Sequence, residues 1–179
     1  MGIMQPHPYG QKRSKPYQKR FLLLFAAGLL VLGGVIAFYI IQQDSHSIVP
    51  TQIRSAVPFS VYYPGAVPSG YSLNSQSFRL ADAGVVVFSV NRSDSKTILF
   101  SEQAQPSSND MNTFISGYIP LNSVLQVPLG QAKFGAYGNA PDIRTVVSLP
   151  IANGPWLIVT APADTNHDDL VALIRSLKQ

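Results

Sequence analysis

An uninterrupted apolar run, Phe21 to Ile41, constrains this chain more than any other feature. Its 21 residues, FLLLFAAGLLVLGGVIAFYII, include no charge, amide or proline. At about 1.5 Å of rise per residue a helix of that length spans about 30 Å, the depth of a hydrocarbon core. Helices of small water-soluble domains carry a polar face, and this run has none. The sequence therefore predicts a transmembrane helix over 21–41.

The flanks orient that helix. Lys12, Arg13, Lys15, Lys19 and Arg20 precede it without a single acid, whereas Asp44 and Arg54 are the charges in the stretch that follows. The positive-inside rule then places residues 1–20 in the cytoplasm as a basic, unstructured tail, and the remainder outside. A cleaved signal peptide would have a shorter apolar core and a small-residue exit. Here the exit is Phe38-Tyr39-Ile40-Ile41, which suits an interfacial belt and an uncleaved signal anchor. Gly33 and Ala37 form a small-residue pair that could let two anchors pack closely, although such residues are common in membrane helices.

Charge narrows the function classes. The chain is +4 overall, but residues 42–179 hold eight Lys or Arg against nine Asp or Glu. The basic balance thus belongs to the cytoplasmic tail and the anionic inner leaflet, and the outer part lacks the surplus that a nucleic-acid-binding face requires. With no cysteine in the chain, the outer domain must hold by core packing without disulfides.

Beyond the anchor, 42–56 reads as a tether and 57–179 as one domain. The pattern changes to period two at Phe59, Val61 and Tyr63, a half-buried strand. Further strands are expected over 71–80, 85–91, 96–103, 123–127, 131–137, 143–149 and 156–160. A phase slip between Tyr71/Leu73 and Phe78/Leu80 predicts a bulge. Ser107 and Asp110 open a helix with Met111, Phe114, Ile115 and Tyr118 on one face. Thr165 and Asp168 open a second, lined by Leu170, Leu173, Ile174 and Leu177. Asn153-Gly154 predicts a tight hairpin in which both residues take positive φ. Each half reads as strands closed by a capped helix. The expected fold class is α+β: a curved antiparallel sheet of seven or eight strands, two helices on one face, and two similar halves.

Sites are harder to find. His167, Asp168 and Asp169 form the densest group of metal-ligand types, but a helix start accounts for the aspartates, and no metal or cofactor is expected there. His167 is the sole histidine of the domain on which a hydrolase could depend, and no nucleophile-elbow or phosphate-loop pattern occurs. Aromatics are the better lead. Tyr63, Tyr71, Phe134, Tyr137 and Trp156 could line one groove for an apolar ligand or a peptide, with core packing as the competing reading for each.

Several elements together carry a resemblance: Tyr62-Tyr63-Pro64, the Pro68, Gly70, Tyr71, Leu73 element, Phe100 with Glu102-Gln103, Leu129-Gly130 with Ala132, Trp156 with Pro162, and Ile174 with Leu177. The segment Phe59 to Leu177 resembles small extracytoplasmic bacterial domains of unassigned function. These are known from the outer halves of anti-sigma-factor-like proteins and from small single-pass envelope proteins. The resemblance implies a distant likeness to lipoprotein-carrier half-barrels, which bind lipid or protein ligands. The 20 residues before the anchor are too few for a folded sigma-binding domain. The reading is a non-enzymatic, single-pass binding module of the bacterial inner membrane that takes an envelope protein or an apolar ligand outside it. The competing readings are an accessory subunit recruited through the anchor and, further off, a hydrolase.

Overall fold

The computed structural model describes residues 48–118 and 121–179. The expected cytoplasmic tail and membrane helix lie outside these residues. Among the described residues no helix is long and apolar enough to cross a membrane.

The alternating segments form an antiparallel sheet of seven strands, in the order β2-β3-β4-β8-β7-β6-β5. The strands are β2 (Tyr71–Ala81), β3 (Val85–Arg92), β4 (Thr97–Gln103), β5 (Leu121–Val127), β6 (Gly130–Tyr137), β7 (Arg144–Pro150) and β8 (Trp156–Pro162). A separate pair joins β1 (Tyr63–Pro64) to β9 (Leu177–Lys178). Three helices complete the domain: α1 (Thr51–Ala56), α2 (Ser108–Tyr118) and α3 (His167–Arg175). The fold is thus α+β and sheet-rich. The predicted bulge is present, as a register shift against β3 between Asn74 and Arg79. Its corner is closed by Ser77, which donates to the Asn74 carbonyl at 2.6 Å and accepts the Ser89 N–H at 2.8 Å.

One face of the sheet carries the main core. Side chains alternate between faces along a strand, and Phe88, Phe100, Val159, Val147 and Phe134 occupy one register row across five strands. Phe78, Phe88 and Phe100 stack in series, with centroids 4.6 and 4.9 Å apart. Leu170, Leu173 and Ile174 of α3 close over this face and are buried in the same cluster.

The expectation of both helices on one face is not met. Trp156 alternates with Leu157 and so projects from the opposite face, where the ring of Phe114 from α2 meets it edge-on at 5.4 Å. Trp156 also donates its indole N–H to Ser148 Oγ at 2.9 Å, and Ser148 is completely buried. An off-phase aromatic at the start of β8 therefore draws α2 to that face. The strands preceding α2 and α3, β4 and β8, do lie side by side at the centre. The two halves diverge from there.

Three local expectations change. The stretch from Val57 to Tyr63 does not join the large sheet. Pro58 and Pro64 lack ladder N–H groups, and the Tyr62 N–H is taken by the Glu102 side chain, leaving the two-residue β1. The C-terminal half of the expected tether is part of the fold: Val49 and Ile53 are buried in the core, and Pro50 stands at the start of α1. At the β7–β8 hairpin Asn153 takes φ 56°, but Gly154 is not left-handed. Glycine is required at 154 because a Cβ would sit 2.9 Å from Ile151 Cγ2.

Helix starts follow the sequence more closely. Ser107 Oγ accepts the Asp110 N–H at 3.2 Å, the expected cap, and donates its hydroxyl, in place of the backbone N–H of a full capping box, to the Asp110 carboxylate at 2.6 Å. At α3 the cap is Asn166 rather than Thr165. Asn166 Oδ1 accepts the Asp168 N–H at 2.8 Å, while Thr165 Oγ1 is buried without a hydrogen-bond partner.

Candidate functional site

The face opposite the main core is covered by α2 at its Trp156 end and open at the other. The open part is a trough that crosses the strands. Toward β7 it forms a hollow of about 970 Å³ between Thr97, Leu99, Thr160, Arg144 and the 141–143 loop. Toward β2 it continues as a second hollow of about 490 Å³ between Asn74, Arg79, Val87, Asn91, Thr97 and Leu99. Thr97 and Leu99 line both hollows, so the two adjoin across β4.

Alternation explains its floor. Ile98, Phe100 and Glu102 of β4 point into the core, so Thr97, Leu99 and Ser101 point into the trough. Leu99 keeps 42 % of its surface exposed at the middle of the central strand pair, where a side chain facing α3 would be covered. Ile143, also 42 % exposed, stands on the trough wall.

The rim near the β3–β4 turn is held by ion pairs. Arg92 donates to Asp94 at 2.5 and 2.7 Å and to Asp164 at 2.8 Å, and Lys96 reaches Asp164 at 2.5 Å. These contacts join the β3–β4 turn to the loop between β8 and α3. The hydrogen bond to Arg92, and then the one to Lys96, hold the Asp164 carboxyl down at about 2. The Arg92 hydrogen bond likewise holds Asp94 well below the usual range.

The five aromatics expected to form one groove are dispersed. Phe134 is buried in the main core, its ring 4.9 Å from that of His167. Trp156 is buried on the opposite face, so these two cannot line one groove. Tyr137 is 55 % exposed and shares the face of Trp156, but its row meets Pro162 while Trp156 lies at the far end of β8, about 20 Å away at about 3.3 Å per residue. Tyr71 is half-buried against the core on β2. Burial first, then the nearby Asp169 carboxylate, lifts its phenol above the ordinary 10.0, with Arg92 opposing. Tyr63 lies on β1, where Lys178 Nζ sits 5.6 Å from its ring centroid. Period-two patterning marks such residues as apolar without saying which face each takes.

The sequence hides the trough residues because they are the off-phase positions of strands whose in-phase residues are conspicuously apolar. Leu99, an off-phase aliphatic between Ile98 and Phe100, was the available signal. Among the described residues no group of three His, Asp or Glu side chains could hold a metal ion. No protein-family model matches the chain, and neither the curated proteins nor the solved structures compared with it gave a match.

Proposed function

We propose that this chain is a membrane-anchored, extracytoplasmic binding module of the bacterial envelope that holds a segment of a partner protein in the open trough. The trough centred on exposed Leu99 is the observation that carries this reading. Leu99 and Ile143, each 42 % exposed, give the trough an apolar floor and wall beside its polar residues, the mixture that binding clefts use. The polar wall residues Asn74, Asn91, Thr97 and Thr160 favour a peptide backbone over a purely apolar small ligand, because they offer partners to N–H and C=O groups. The 21-residue apolar run and the basic residues before it support the anchored, outward-facing arrangement. The resemblance to small extracytoplasmic bacterial domains belongs to the same proposal.

Photo-crosslinking tests it. A crosslinking side chain placed at Thr160 in the full-length protein, in its native membrane, is expected to capture a discrete protein partner. The same group at Asp168, on α3 over the other face, is expected to capture none. Equal yields from both positions, or none from Thr160, would count against the trough. Replacing Phe21–Ile41 with an unrelated membrane segment separates this reading from recruitment through the anchor, since only the latter predicts that capture is lost.

A further inference from the structure

The charges carried by the strands of the trough face are one-sided, although Asp142 and Asp164 line it from the loops. The strand residues that project from this face include Arg79, Lys133 and Arg144, and no Asp or Glu. None of the three has an ion pair among the described residues, where the pairs formed involve Arg92, Lys96, Asp94 and Asp164. Asp142 is the lining acid left without an ion pair, and three bases on the same face stand against it.

Register places two of these bases symmetrically. Arg79 lines the β2 end of the trough and Arg144 the β7 end. The row through Arg79 runs Val87, Ser101, Ile158, Ser148, and Arg144 lies on β7 four residues from Ser148. With strands about 4.8 Å apart and about 3.3 Å per residue, the two arginine positions are about 23 Å apart on a diagonal. Leu99 occupies the midpoint of that diagonal, on the middle strand of the five and two residues along β4 from Ser101. A cation, an aliphatic and a cation thus follow one another in a line along an open trough. An extended chain covers about 23 Å in about seven residues, and because its side chains alternate between faces, those that meet the trough together stand an even number of positions apart.

Building on the trough as the binding site, we propose that its partner is an extended protein segment with acidic residues about eight positions apart and an apolar residue midway, all three on one face. The acids meet Arg79 and Arg144, the apolar side chain covers Leu99, and the segment backbone meets Thr97, Thr160 and Asn91. Both arginines are exposed, so they favour the correct charge and oppose the wrong one more than they add affinity.

The test uses the full-length chain in neutral phosphatidylcholine nanodiscs and two labelled peptides of threonine and valine. Each carries leucine midway between charged residues about eight positions apart, aspartates in one and lysines in the other. By anisotropy, the aspartate peptide is expected to bind at least about tenfold more tightly than the lysine peptide at low salt. The double variant Arg79→Glu/Arg144→Glu is expected to reverse that preference, and Leu99→Asp to weaken both peptides. Buried Trp156 reports by its fluorescence that each variant is folded. Equal binding of the two peptides, or a preference unchanged in the double variant, overturns the proposal. So does retention on phosphatidylglycerol vesicles, abolished by the double variant, without peptide binding, which would make the surface one for anionic lipid. If Thr160 crosslinking succeeds while the peptides fail, the acidic segment is wrong and the trough stands. If both fail, the trough reading falls with it.

Discussion

The Glu102 carboxylate accepts the backbone N–H of Tyr62 through both oxygens, at 3.0 and 3.1 Å, across 40 residues of sequence. Glu102 is completely buried on β4, beside Val86 and Leu157 in the adjacent strands. Burial pushes its carboxyl up from 4.5 to about 8, against the opposing pull of the Tyr62 N–H. An acid on a core-facing position therefore attaches the N-terminal segment to the central sheet. Its burial, not that contact, favours the protonated form.

That preference sets a pH dependence. The folded state holds the Glu102 proton up to about pH 8, while the unfolded chain releases it near 4.5. Stability from this group is fully present below pH 4.5, declines as pH rises, and levels off above about 8. The slope is at most about 1.4 kcal/mol per pH unit. Urea midpoints measured from pH 5 to 9 are expected to fall and then flatten. Glu102→Gln, which keeps an acceptor for Tyr62, should remove most of the slope and be the more stable protein at pH 8.

The rim ion pairs act in the opposite direction at lower pH. Asp164 and Asp94 have depressed carboxyls, so their contribution is present above the ordinary 3.8 and is lost as pH falls toward about 2. Stability should therefore peak near pH 4 to 5, between the two limbs. Asp164→Asn is expected to lower stability above pH 4 and so flatten the acid limb at low salt. Because these side chains are exposed, its effect should shrink in 1 M salt, where the screening length is about 3 Å.

Trp156 and Ser148 form a buried donor–acceptor pair on the α2 face. Trp156→Phe leaves the Ser148 hydroxyl without its donor and is expected to cost about 1–3 kcal/mol beyond the lost area. Adding Ser148→Ala should recover part of that loss, and a double-mutant cycle from denaturant unfolding measures the coupling. Phe114→Ala should redshift Trp156 emission, since the Phe114 ring lies 5.4 Å from the indole.

Gly130 begins β6 with φ 148°, and a Cβ there would lie 2.8 Å from the Pro150 carbonyl oxygen. The strain and the collision involve backbone, so they cannot be relieved by a rotamer change. Gly130→Ala is expected to destabilise by about 1–3 kcal/mol, seen as a lower melting temperature. Gly84→Ala shares the strain without the collision, as nothing lies within 4 Å, and should cost less.

Much of the sheet was legible because its strands announce themselves twice, by alternation and by the turns between them. The β2 bulge and the start of α2 at Ser107 were readable for the same local reason. What was not legible depends on partners distant in sequence. Nothing near Tyr62 signals that Glu102 will take its N–H, so β1 read as a full sheet strand. Thr165 and Asn166 are both competent caps, and only the packing decides between them. The aromatic groove failed because Phe134 and Trp156 look alike in a hydropathy pattern yet face opposite sides. The trough failed to appear because its arginines sit on β2 and β7, and a linear sequence does not reveal that Leu99 lies midway between them.

The pairing of β1 with β9 has a mechanical consequence. Tyr63 and Pro64 lie against Lys178 and Leu177, Gly65 donates to the Ser176 carbonyl at 2.8 Å, and Gln179 donates to the Tyr62 hydroxyl at 2.5 Å. A pull on the chain at Ile48 loads Val49 and Ile53 first, then Tyr62 on Glu102, then this short clasp. The seven-stranded sheet with its trough bears load last. The segment would peel in small steps, each resisted by a few contacts. The sheet would stay undistorted while the N-terminal segment is drawn out.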